Sequence, residues 1–141
     1  METPRRIALD TDVLIEHLRD KGGGLVGALE ERAELATTVV NAFELYHGAY
    51  RSKQTAKNLS AVKNLLSALT LLGMDDVSAE RSGEALANLE REGKPIDPRD
   101  LFVGCAAVRN GYALMTNNRK HFERVPGLRV LSPSDVPRPP R

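Results

Sequence analysis

The chain has a single cysteine, Cys105, so no intrachain disulfide can brace it, and a reducing compartment suits it. It has no tryptophan and only three Tyr and three Phe, which is too few for a broad stacking face for nucleobases. Charge of one sign is not in excess either, with 20 Lys plus Arg against 19 Asp plus Glu. Any basic surface for a nucleic acid must therefore be local. No apolar run is long enough to span a membrane, and the first residues lack the apolar core of a signal peptide, so a cytoplasmic protein without a membrane partner is expected.

What remains is ordinary in amount and informative in order. With 141 residues, 41% hydrophobic and 28% charged, the chain fits one soluble domain with a single filled core. Short apolar or β-branched runs alternate with helical periodicity, which predicts an α/β fold with a central, mainly parallel sheet of four to five short strands flanked by helices. Strands are expected at 7–9, 37–40, 74–77, 112–116 and 128–131. Helices are expected over about 12–19 and 25–35, from 41, over 53–72, from a Ser78 cap, and from Asp97-Pro98-Arg99-Asp100 to Gly111. The stripe Leu59, Val62, Leu66, Leu69 reads as core or helix-hairpin seam, and Cys105 as core packing. Residues 117–122 read as a loop. One domain is expected over 1–135, with 136–141 a disordered Pro/Arg tail.

In a parallel sheet the strand C-termini share an edge with the N-termini of the helices that follow, and ligands bind there. Asp10 and Asp12 follow the first strand, and Glu44 lies in the first turn after the second. Asp97 and Asp100 open the last long helix, and Asn117 and Asn118 follow the strand it feeds. Capping is the competing account of most of these residues. Asn41-x-x-Glu44 fits a variant capping box, Asp97-Pro98-Arg99-Asp100 fits an N-cap with Pro at N1, and Asp12 suits the positive end of a helix. Asp10 is different, because a carboxylate ending a buried strand is costly unless its charge is compensated. Clustered carboxylates stay ionised together only around a cation. Oxygen donors without thiolate favour Mg²⁺ or Mn²⁺, and such ions promote hydrolysis of phosphate esters.

The same residues resemble a known family, the PIN-domain ribonucleases, and within it the VapC toxins of toxin–antitoxin pairs. Leu9-Asp10-Thr11-Asp12-Val13-Leu14-Ile15 is similar to the opening motif and Asn41-Ala42-Phe43-Glu44-Leu45-Tyr46-His47-Gly48-Ala49 to the second. Asp100-Leu101-Phe102-Val103-Gly104-Cys105-Ala106-Ala107 resembles the third, and Ala113 to Phe122 the fourth. The resemblance implies a PIN-like fold and a Mg²⁺- or Mn²⁺-dependent endoribonuclease that cuts structured RNA such as tRNA or ribosomal RNA. It implies a metal site of Asp10, Glu44 and Asp100, with the third motif's acid at Asp100 rather than Asp97. Family members often carry an acid at the position of Asn118 or of His121; neither is acidic here, which leaves Asn118 as a neutral ligand or water-positioning group.

Thr11, Asp12, Asp97, Thr116, Asn117 and His121 are expected to support the acids, and Arg119, Lys120 and Arg124 to meet RNA phosphates. A homodimer and a cognate VapB-like antitoxin covering the acidic groove are the implied partners. Two readings compete. Asp10-x-Asp12 also opens the haloacid-dehalogenase-type phosphatases, with Asp10 as nucleophile. A non-catalytic binding or receiver-like module is the other.

Overall fold

The computed structural model describes residues 3–138. Its sheet has five strands: β1 (Arg6–Leu9), β2 (Glu34–Thr38), β3 (Thr70–Leu72), β4 (Ala113–Met115) and β5 (Val130–Leu131). They lie in the order β3-β2-β1-β4-β5, and every pairing is parallel. From β1 the chain builds outward through β2 to β3, then crosses back to place β4 on the other side of β1. The carboxyl ends of β1 and β4 therefore flank the point where the winding reverses, the crevice that open parallel sheets use for ligands.

Both faces of the sheet are covered, which is why its strands are continuously apolar rather than alternating. Ile7, Leu9 and Met115 face one layer, formed with α1 (Thr11–Leu18), α2 (Leu25–Glu30), α3 (Val39–Arg51) and α4 (Thr55–Ser67). Ala8 and Leu114 face the other, formed with α5 (Asp76–Arg91), α6 (Pro98–Asn110) and α7 (Arg119–Phe122). Val62 of α4 is buried, and Leu59, Leu66 and Leu69 pack beside it on the first layer, as the stripe predicts. Cys105 is buried on the second. Phe122 is fully buried, and it anchors α7 in a stretch expected to be loop.

Other boundaries also differ from the sequence reading, each for a local reason. The helix expected to reach 35 ends at Glu30, because Leu35 and Ala36 pair with Ile7 and Ala8 of β1. The second strand ends at Thr38, and Val39 and Val40 open α3 despite their β-branching. Thr38 and Asn41 form a capping box there: the Thr38 hydroxyl accepts from Asn41 N at 3.2 Å, and Asn41 Oδ1 accepts from Thr38 N at 3.2 Å. Asn41 is thus the N3 partner of the box, and Glu44 is free of capping. The helix expected over 53–72 stops at Ser67, and β3 takes Thr70–Leu72 in place of 74–77. Asp75, not Ser78, caps α5, accepting from Ser78 N at 2.9 Å. At the C-terminus, Val136 is buried and Arg138 donates to the Gly22 carbonyl at 2.6 Å, both within the stretch read from the sequence as tail. The rest of the expected tail, 139–141, lies outside the described residues. No helix among the described residues is long and apolar enough to cross a membrane.

Candidate active site

Asp10 caps α1 at the end of the central strand and accepts three hydrogen bonds. Its Oδ1 accepts from Thr11 N at 2.9 Å and from Asn41 Nδ2 at 3.1 Å, and its Oδ2 accepts from the Thr116 hydroxyl at 2.7 Å. Burial pushes its carboxyl up to about 6, and repulsion from Asp12 and Glu44 adds to that, against hydrogen bonds from Thr116 and Thr11. Asp100, in the first turn of α6, is raised by burial and then by the charge of Asp10, with smaller contributions from Asp97 and Glu44. Asp10, Glu44 and Asp100 therefore act on each other electrostatically, although they come from β1, α3 and α6.

Glu44 is half-buried on α3. Its Oε1 accepts from the Thr11 hydroxyl at 2.8 Å, and its Oε2 lies 3.9 Å from the Arg99 guanidinium. Asn41 joins these groups. Fully buried, it donates through Nδ2 to Asp10 Oδ1 and to the Thr11 hydroxyl at 2.9 Å, and its Oδ1 accepts from the Thr38 hydroxyl at 2.7 Å. The capping box holds the amide in the orientation that aims both N–H groups at the site. Asn41 and Arg99 are the residues that sequence reasoning missed as part of the site. The Thr38-x-x-Asn41 spacing was the available signal, because an Asn engaged by its own oxygen has two donors left to point elsewhere.

The supporting residues divide. Thr11 and Thr116 bond the acids directly. Asp12 Oδ1 accepts from Val13 N at 2.7 Å and its Oδ2 from Asn117 N at 3.1 Å, so it fastens α1 to the loop after β4; burial raises its carboxyl. Asn117 also donates to Glu16 at 3.1 Å. Asp97 caps α6, accepting from Arg99 N at 2.9 Å, and pairs with the same residue's guanidinium at 3.1 Å, which holds its carboxyl below the usual range. Asn118 N donates to the Thr116 hydroxyl at 2.9 Å, and its Nδ2 stands 2.9 Å from His121 Nδ1. The same Nδ1 is 3.7 Å from Asp100 Oδ2. Arg119 is paired with Glu123 at 2.7 Å and Asp135 at 3.2 Å, and Arg124 donates to the Pro95 carbonyl at 3.0 Å. Of the expected phosphate contacts, only exposed Lys120 has neither an ion pair nor a hydrogen bond among the described residues.

The donor set is oxygen only, which suits a hard divalent cation. Among the described residues no three His, Cys, Asp or Glu side chains are gathered tightly enough to form a ready-made cage. An ion between acids spaced this loosely would keep several of its waters, as Mg²⁺ does. Burial first, and neighbouring acids second, disfavour the ionised forms of Asp10 and Asp100, and a cation beside them would favour those forms.

The chain matches the PIN domain family over residues 7–128. It is 32% identical over 130 residues to the tRNA(fMet)-specific endonuclease VapC of Salmonella typhimurium and 30% identical over 126 to that of Shigella flexneri, in each case across 89% of this chain and 96% of the relative. A DNA-bound VapBC structure from Salmonella typhimurium superposes with a TM-score of 0.82 at 28% identity, over 92% of this chain and 99% of that one. The nucleophilic-phosphatase and receiver-like readings of Asp10 fall with this result. The chain belongs to the PIN-domain family and, within it, to the VapC ribonucleases.

Proposed function

We propose that this protein is a divalent-metal-dependent endoribonuclease, the toxin of a toxin–antitoxin pair. Asp10, Glu44 and Asp100 would hold Mg²⁺ or Mn²⁺ at the reversal point of the sheet. The observation that carries this reading is that Asp10 and Glu44 share one hydrogen-bond network through Thr11 and Asn41, with Asp100 close enough for the charge of Asp10 to act on its carboxyl. Family membership supports the reaction class, hydrolysis of a phosphodiester in RNA.

A bound ion supplies neutralisation of phosphoryl oxygens and a water of lowered pKa. The chain's own residues fix the rest. Asn41, Thr11 and Thr116 orient the two oxygens of Asp10, and Thr11 and Arg99 orient Glu44. Asn118, set by Thr116 and facing His121, positions water near Asp100. Lys120 supplies positive charge for a phosphate at the rim. Hydrolysis would form one P–O bond to a water oxygen, which gives up a proton, and break one P–O bond of the backbone, whose departing oxygen takes a proton from water or from a neighbouring acid.

Because relatives are named tRNA(fMet)-specific endonucleases, structured RNA, tRNA first, is the substrate class to test. The resemblance to a VapBC complex supports a VapB-like antitoxin as partner; a homodimer is proposed from the family resemblance alone. The deciding experiment incubates the purified protein with transcribed tRNAs and ribosomal RNA in Mg²⁺, Mn²⁺ or EDTA. Wild type should cut only with a divalent ion, and Asp10→Asn and Asp100→Asn should lose at least two orders of magnitude in rate. Equal cutting by both variants would remove the assignment.

A further inference from the structure

One face of α3 is left open beside the acids. Val39, Phe43, His47 and Arg51 recur there at four-residue steps, and all are exposed, with Phe43 57% accessible. The Phe43 and His47 rings are near-parallel, 10° apart in plane with centroids 6.0 Å apart. They border an open hollow of about 430 Å³ whose lining also includes Thr11, Glu44, Arg51 and Arg99. The hollow is therefore continuous with the site: Thr11 and Glu44 belong to both. Arg51 has no ion pair or hydrogen bond among the described residues, whereas Arg99 is shared between Asp97 and Glu44. Gly48 opens onto the hollow, and a Cβ placed on it would meet nothing within 4 Å.

We propose that this hollow is a specificity subsite of the ribonuclease, holding one unpaired base of the RNA beside the scissile phosphate. The base extends the Phe43–His47 stack, and Arg51 meets the phosphate attached to it. The inference rests on the ribonuclease reading and deepens it. Charge and shape favour RNA over a docked protein segment. The hollow offers one aromatic pair and unneutralised positive charge next to the acids, not a continuous apolar patch. Bases carry a π-face whatever their identity, and stacking on one is largely sequence-tolerant. A base within an A-form duplex is already stacked and cannot reach such a platform, so loops and unpaired ends become the preferred targets. The scarcity of aromatics in the chain rules out a stacking face; one exposed Phe at the rim of the site makes a stacking point.

The test measures binding of a labelled single-stranded oligoribonucleotide, and of the same strand in a duplex, by anisotropy. Asp100→Asn serves as the background so that the probe survives, and cleavage is measured in the native background. Phe43→Ala should weaken single-strand binding and raise KM about five- to a hundredfold. Phe43→Tyr should restore both. Gly48→Leu, whose Cβ meets nothing within 4 Å, places a side chain at the hollow and should mimic Phe43→Ala while the circular dichroism spectrum stays native. Arg51→Ala should lower the slope of log affinity against log salt by about 0.7. The subsite is overturned, and the ribonuclease reading kept, if Phe43→Ala and Gly48→Leu bind and cut like wild type. It is also overturned if Phe43→Ala changes the mass in light scattering and leaves RNA affinity unaltered, since the face is then an interface between copies. A folded wild type that cuts no RNA with either ion sinks both.

Discussion

The Thr116 hydroxyl at the end of β4 donates to Asp10 Oδ2 at the end of β1 across 2.7 Å, and the same oxygen accepts from Asn118 N at 2.9 Å. One buried hydroxyl thus joins the central acid to the loop that carries Asn118. Replacing it by the isosteric Val leaves the Asn118 N–H without its acceptor and the Asp10 carboxylate without a donor that lowers its pKa. Thr116→Val should cost about 1.5 to 3 kcal/mol in urea unfolding and slow cleavage, and Thr116→Ser should recover most of both. A Val variant as stable as wild type would show that the hydroxyl is incidental.

Asn41 is engaged at both ends of its amide, with Thr38 on the oxygen and Asp10 and Thr11 on the nitrogen. Asn41→Leu strands several buried groups at once and should destabilise by about 2 to 4 kcal/mol. Asn41→Asp is the sharper variant, because it keeps the cap to Thr38 but aims a carboxylate oxygen at Asp10. Its loss of stability should grow as pH rises past 6 and shrink when Mg²⁺ is added. Thermal unfolding with and without the ion checks this; a pH-independent loss would argue against charge as the cause.

Asp10 itself predicts a stability–pH relation of definite sign. Its folded pKa, about 6, lies above the unfolded value near 3.9, so between them the folded state holds more protons than the unfolded one. Stability from this group is therefore greatest below pH 4 and falls as pH rises to 6. In EDTA at pH 7.5, Asp10→Asn should be more stable than wild type, by on the order of 1 to 3 kcal/mol, with the difference shrinking toward pH 4. Divalent ion should raise the melting temperature of wild type more than that of the variant. Calorimetry that finds Asp10→Asn the less stable form at pH 7.5 without metal would mean that the carboxylate is already compensated by the protein.

How far the sequence carried these conclusions depends on the range of the interaction concerned. The parallel sheet, the acid after β1 and the Asp97-Pro98 start of α6 were legible because apolar period, capping and proline chemistry act within a few residues. The Thr37–Val40 run was misplaced because four β-branched or hydroxyl residues look like strand throughout. A single side-chain cap from Thr38 turns the last two into helix. Thr70–Leu72 continues a helical period and becomes strand only because Ala36 to Thr38 of β2 offers it a parallel edge, a contact more than thirty residues away. In the site, the acids could be placed on one rim from topology. That Asn41 reaches Asp10, or that Arg119 pairs with Glu123 and Asp135, depended on side-chain directions that spacing does not encode.

Gly104 lies one turn along α6 from Asp100, where the helix passes under the loop after α7. A Cβ added there would stand 2.8 and 2.9 Å from the two methyls of Val125, which is itself buried. Branched Val125 cannot swing out of the way, so Gly104→Ala must push α6 or the loop. The helix-propensity gain of Ala over Gly, about 1 kcal/mol, is opposed by overpacking of about 1 to 3 kcal/mol. Overpacking should win, and because the displaced helix carries Asp100, cleavage should fall by more than the folded fraction does. Val125→Ala should be destabilising in the wild-type background but should relieve Gly104→Ala, with a coupling of at least about 1 kcal/mol in a double-mutant cycle. Additive losses would mean that the close approach does not constrain the helix, and that the position of Asp100 is set elsewhere along α6.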